Sequence, residues 1–157
     1  MKTALLQMGK TTEGYVSEGL EIYSSRISKY TGFEIITIAD IKNTRNMPSG
    51  EQKIKEGRKI VEALGKNDYI ILLDERGKEL DTSEFARWIE KKLADSGKRL
   101  VFIIGGAWGF SEELYSRADF SLSLSKMTFP HQMVRLLFAE QLYRAFTIIK
   151  GDPYHHA

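Results

Sequence analysis

Short apolar runs alternate with longer amphipathic stretches along the whole chain. Residues 3 to 8, Phe33 to Ile38, Tyr69 to Leu73, Leu100 to Ile104 and the segment Phe120 to Leu124 each have strand length and end at glycine or polar residues. Between them the apolar positions fall at helical spacing. A helix is predicted from about Glu13 to Lys29, and a second opens at Ser49-Gly-Glu-Gln52, which matches a capping box, and closes at Gly65. A third is capped by Asp81 and runs to about Ala94. A short fourth follows Ser111, with Glu112 and Glu113 well placed in its first turn. The last spans His131 to Lys150. Asp40 to Pro48, carrying Lys42 and Arg45, reads as a loop, and Asp74-Glu-Arg-Gly-Lys78 as a charged turn.

This alternation predicts an α/β fold, a mainly parallel sheet with helices on both faces, in one domain spanning residues 1–157. Ligands in such sheets bind beyond the carboxyl ends of the strands. The loops after Leu73, Ile104 and Leu124 are therefore the leading site candidates. The second of them, Gly105-Gly-Ala-Trp-Gly109, gives a ligand close access to backbone.

The final helix is apolar around most of its circumference. Val134, Leu137, Phe138, Leu142, Ala145, Ile148 and Ile149 share one broad face, which suits its own sheet. Met133, Leu136, Tyr143 and Phe146 spread onto the opposite side among Arg135, Glu140 and Arg144. That second face is expected to pack on a partner subunit; a central helix within one domain is the alternative. Glu140 and Arg144, four residues apart, read as an exposed pair if nothing else engages them.

Composition narrows the chemistry. With 157 residues and 42% hydrophobic content the chain can bury one sizeable core, and 23 basic against 21 acidic residues give a net charge of only +2. A nucleic-acid footprint would have to be local, drawing on residues such as Lys10, Lys42, Arg45, Lys126 and Arg144. The absence of cysteine rules out disulfides and a thiolate nucleophile, and three histidines make no convincing metal cluster. No stretch reads as a signal peptide or a membrane span, so a cytoplasmic location is expected. Ala4 to Thr11 fits a relaxed phosphate-loop pattern, but Leu5 to Met8 would be the strand and only Gly9 would be left to form the cradle.

Taken together, Leu72-Leu-Asp-Glu-Arg-Gly-Lys78, Ile104-Gly-Gly-Ala-Trp-Gly109, Ser123-Leu-Ser-Lys-Met-Thr-Phe-Pro-His131, Leu142-Tyr-Arg-Ala-Phe146 and the terminal Pro153-Tyr-His155 closely resemble the RlmH family. The resemblance covers the chain from end to end. It implies a SPOUT methyltransferase fold with a C-terminal trefoil knot and a homodimer. It further implies transfer of a methyl group from S-adenosylmethionine to N3 of a pseudouridine in 23S ribosomal RNA, within the assembled ribosome. By the same resemblance Leu73, Gly105 and the run Leu124, Ser125, Lys126, Met127, Thr128 and Phe129 bind the cofactor, mostly through backbone groups. For the apolar members, plain core is the competing reading. Arg144, Tyr154 and His155 face the substrate, His155 as the favoured proton acceptor and Arg144 as an anion or phosphate contact, with His131 a further candidate. Many members carry a basic residue directly after Tyr-His, where this chain has His156 and Ala157. A non-catalytic, ribosome-associated dimer of the same fold is the alternative.

Overall fold

The computed structural model describes residues 2–95 and 97–156, so Ala157 lies outside the described residues. Five strands form one sheet in the order β2-β1-β4-β3-β5, with every pairing parallel. The strands are β1 (Lys2–Met8), β2 (Gly32–Ile38), β3 (Tyr69–Glu79), β4 (Leu100–Ile104) and β5 (Phe120–Ser123). The helices are α1 (Gly14–Ile27), α2 (Ser49–Ala63), α3 (Thr82–Asp95), α4 (Glu112–Arg117) and α5 (His131–Lys150).

Period-two alternation sorts the central strands into two cores. Ala4, Leu6, Val101, Ile103, Ile70 and Leu72 point to the face where Ile60 of α2 and Leu114 of α4 pack. Leu5, Phe102, Leu100 and Ile71 point to the other, against Phe85 and Ile89 of α3 and Phe138 and Leu142 of α5. β4 is buried along its whole length, as its unbroken apolar run requires. Each fully buried large side chain stabilises the fold by about 1.5–3 kcal/mol.

Several local expectations hold, and three need correction. Asp81 caps α3 by accepting from the Glu84 amide (2.7 Å), while the Glu84 carboxylate accepts from the Asp81 amide (2.9 Å), so the reciprocal box sits here. Ser111 caps α4 by accepting from the Leu114 amide. At α2, however, Ser49 is already helical, Pro48 is the N-cap and no side chain caps the helix. Proline fixes the entry angle there and Gln52 turns instead to Glu56 (3.2 Å).

The second correction concerns residues 74–78, which are not a turn that ends the strand. Leu73 and Lys78 both pair with Leu122, so residues 74–77 bulge out of β3 before it resumes. Gly77 allows the return, because a Cβ there would lie 2.7 Å from the backbone of Ser121.

The third concerns the second face of α5, which its own chain covers. Leu136 packs with Val16 and Leu20 of α1, and Gly19 makes room for it, since a Cβ at that position would lie 2.5 Å from Leu136. Tyr143 meets Tyr23 and Tyr30, and Phe146 stacks on Tyr30. Arg135, on the same side of the helix, is 1% exposed. Gly151 ends α5 in the left-handed conformation (φ 73°), turning residues 152–155 back along the helix.

The amino-terminal edge of the sheet is held by Arg99, which donates to both oxygens of Asp68 (3.0 and 2.6 Å) and to Glu34 (2.8 Å). Burial pushes the Asp68 carboxyl up, but the Arg99 hydrogen bond, the Gly65 amide and the charges of Arg99 and Arg117 together bring it below its ordinary 3.8. A lowered folded value means that this stabilisation is complete above the unfolded value and drains away as pH falls through the folded one. In urea titrations the wild-type midpoint should drop below about pH 4, whereas Asp68→Asn should start lower at neutral pH and decline less steeply. Equal acid slopes would show that Asp68 does not carry this dependence. Gly77→Ala should cost about 1–3 kcal/mol, since backbone rather than a movable side chain opposes the methyl group; an unchanged urea midpoint would contradict the bulge geometry.

Candidate functional site

The carboxyl ends of β3, β4 and β5 open into a cavity of about 420 Å³. The β3 bulge supplies Leu73, Asp74, Glu75 and Arg76; the loop after β4 supplies Gly105 to Phe110. The segment joining β5 to α5 supplies Leu124, Ser125, Met127, Thr128 and Phe129, and His131 and Val134 of α5 close one side. Of the eight residues expected around a cofactor, seven line this space. Lys126 does not: its side chain is 83% exposed and reaches Glu79 at 3.5 Å.

Each wall is braced from behind. Ser125 accepts from the Met127 amide and its carbonyl accepts from the Ser123 hydroxyl, both at 3.0 Å, which fixes the start of the 124–130 segment. Asp74 accepts from the Arg76 amide (3.0 Å) and from the Tyr115 hydroxyl, so the bulge is tied to α4. Burial, then the Asp74 contact, raises the Tyr115 hydroxyl above its ordinary range. In the glycine loop Gly106 and Gly109 form a bridge, with Gly109 at φ 82°. The ring of Phe110 lies under Gly105, where a Cβ would be 2.9 Å away.

Glu56 of α2 stands directly behind Gly106, leaving no space for a side chain there (2.7 Å). It is 5% exposed and one of its oxygens has no partner. Burial is the main reason its carboxyl is raised above 4.5, with nearby Asp40 adding to the rise and Gln52 and His131 opposing it. Nothing in the spacing of α2 marks Glu56 out from its charged neighbours. Asp74, Glu75 and Arg76 belong to the loop after Leu73 that the sequence nominates, though as a bulge rather than a turn, whereas Tyr115 of α4 carries no signal in the sequence.

Arg144, Tyr154 and His155 are brought together, but away from this cavity. Arg144 binds both oxygens of Glu140 (2.8 Å at the shortest), lies over the Tyr154 ring (4.7 Å) and contacts His155 Nδ1 (3.1 Å). Tyr154 donates to the same carboxylate at 2.9 Å. Burial, followed by hydrogen bonds to Tyr23 and Glu140, raises the Tyr154 hydroxyl well above the ordinary phenol range. Tyr30, held by Asp152, is pushed up to about 12. The tail is thus packed onto α1 and α5.

Since guanidinium only donates, Nδ1 of His155 accepts and the ring proton sits on Nε2, which is buried without a partner. Arg144 lies more than three helical turns beyond His131, about 20 Å along α5. The nearest link is Glu140, which lines a neighbouring hollow of about 390 Å³ that shares Leu124, Ser125 and Phe129 with the cavity.

The rejected phosphate loop fares no better in three dimensions. Gly9 faces the Asp40 carboxylate, where a Cβ would lie 2.6 Å from Oδ1, and its carbonyl is held by Arg135. Among the described residues no helix is long and apolar enough to cross a membrane, and no group of three or more histidine or acidic side chains is placed to hold a metal ion.

Comparison with known proteins agrees with the architecture. A family model described as "Predicted SPOUT methyltransferase" matches residues 1–155. Ribosomal RNA large subunit methyltransferase H of Parabacteroides distasonis is 50% identical over 156 residues, 99% of each chain. Its counterpart in Christiangramia forsetii is 49% identical over the same span. A probable methylase family protein from Haemophilus influenzae Rd KW20 shares the fold at 13% identity, with a TM-score of 0.52 over 99% of this chain and 70% of that one. A match over nearly the whole length, together with full-length relatives at half identity, places the chain in the SPOUT methyltransferase family, to which it belongs.

Proposed function

We propose that the chain is a ribosomal RNA methyltransferase that uses S-adenosylmethionine and acts on N3 of a pseudouridine in 23S ribosomal RNA within the assembled ribosome. The observation that carries this reading is the 50% identity, over 99% of both chains, to a protein named ribosomal RNA large subunit methyltransferase H. A cytoplasmic location and the knotted threading of the C-terminal segment belong to the same proposal. Gly105, Gly106 and the complete Ser125–His131 run favour turnover over the non-catalytic alternative, because a decayed site has no reason to keep a backbone-lined cavity.

The cavity's residues fit this cofactor. Leu73, Leu124, Phe129 and Val134 offer apolar walls for a purine, and the glycines let its edge reach backbone donors and acceptors. Asp74 and Glu75 suit hydroxyl or ammonium groups, and Arg76 suits a carboxylate. When bound, S-adenosylmethionine supplies a methyl group activated by its positively charged sulfur.

The remaining task is to free N3 of its proton while water is excluded. His155 takes that proton on Nδ1 once Arg144 turns its N–H from the imidazole to the ring oxygens of the substrate, where it stabilises the negative charge left on the base. The cavity residues named above would hold the cofactor, whose methyl group would be the one that the freed N3 takes up. Glu140 and Tyr154 hold Arg144 in place. The distance along α5 between this cluster and the cavity supports a homodimer in which the tail of one subunit completes the cavity of the other.

Methyl incorporation into ribosomes lacking the modification, with free ribosomal RNA as comparator and mass spectrometry of the labelled nucleoside, tests the activity. Label on a pseudouridine base from ribosomes is the expected result, and label on a ribose oxygen would refute it. Subunit complementation tests the shared site. His155→Ala and Phe129→Asp should each abolish turnover, the first with cofactor affinity near normal. Re-equilibrated one-to-one mixtures should recover about a quarter of the wild-type rate, since half the dimers would carry one intact site. No recovery would mean that each tail serves its own cavity.

A further inference from the structure

The chain has two tryptophans, and they are treated differently. Trp88 is built into the core, stacked on Phe120 at 5.1 Å and packed with Phe85 and Phe102. Trp108 lines the cavity yet remains 53% exposed. Its loop does not need it. The Gly109 amide donates to the Gly106 carbonyl (3.2 Å) and closes the turn, and Phe110 and Glu56 brace the glycines from behind. The indole is therefore held out over the cavity by a turn that would form without it.

We propose that Trp108 is the platform on which a base of the RNA substrate stacks at the mouth of the cavity. This rests on the methyltransferase reading above. A nucleoside carrying an amino-acid tail occupies most of a space of about 420 Å³, so a target base has to reach the cofactor from the rim instead of sharing the floor of the cavity with it. A base drawn out of its stack loses aromatic contact on both faces and needs an apolar surface in return. The rim supplies one: Met127, 74% exposed, lines the same opening as Trp108.

This role makes Trp108 a residue for substrate affinity, separable from cofactor binding. The test compares wild type, Trp108→Ala and Trp108→Phe as full-length proteins, using ribosomes that lack the modification and S-adenosylmethionine. Steady-state kinetics and calorimetric titration of the cofactor are both read. Trp108→Ala should raise KM for ribosomes about ten-fold, within the range set by loss of one base–aromatic stack, and leave the cofactor Kd unchanged. Trp108→Phe should restore most of the loss, which a merely structural role would not predict. A weakened cofactor Kd with unchanged KM for ribosomes would overturn the proposal by assigning the indole to the cofactor. Unchanged values in both measurements would overturn it as well. A wild-type protein that methylates no ribosomal substrate would bring down the underlying functional reading, and this proposal with it.

Discussion

A buried guanidinium sets the geometry of the functional edge. Arg135, in the first turns of α5, donates to the carbonyls of Met8 (2.7 Å) and Gly9 (3.0 Å) and to the Thr11 hydroxyl (3.0 Å). Gln132 adds contacts to the Lys10 carbonyl and the Thr12 amide. These bonds fix the start of α5 over the exit of β1, so the segment from Leu124 to Pro130 is anchored by β5 at one end and by Arg135 at the other. Burial lowers the affinity of Arg135 for its proton, with Asp40 opposing, but a guanidinium stays charged, so the site depends on those carbonyls to solvate it. Taking away the arginine would leave buried carbonyls without donors, and the cavity wall would lose its fixed end.

The two edges of the sheet divide stability from function. At the amino edge Arg99, Asp68 and Glu34 are mutually satisfied, and Asp119 accepts from the Ile70 amide. At the carboxyl edge and along α5, Glu56 Oε1, Arg135 Nε and His155 Nε2 are buried without partners. Incompletely satisfied polar groups cost stability, and two of these stand where the proposed chemistry needs them, Glu56 behind the glycine loop and His155 in the tail cluster.

Much of this was legible from local pattern. β4 and α5 have the limits that their apolar periodicity predicts, and the Asp81 and Ser111 caps form as expected. Three loops at the ends of buried strands pointed to the cavity, and family motifs supplied most of its lining. What spacing could not reveal depends on contacts distant in the chain. The bulge of residues 74–77 arises only because β3 pairs again with β5. Arg135 looks like a surface residue until the end of β1 is brought to it. The second apolar face of α5 suggested a partner, but α1 fills it through the gap at Gly19. The proposed homodimer therefore draws its support from the separation between tail and cavity.

The most direct measurement is a crystal structure of the protein grown with S-adenosylmethionine. Density for the purine between Leu73, Leu124 and Phe129, with its edge against the backbone of the 105 and 124–129 segments, is the predicted result. Purine density near Gly9 to Thr12, or a cavity left empty while the ligand binds elsewhere, would contradict the account.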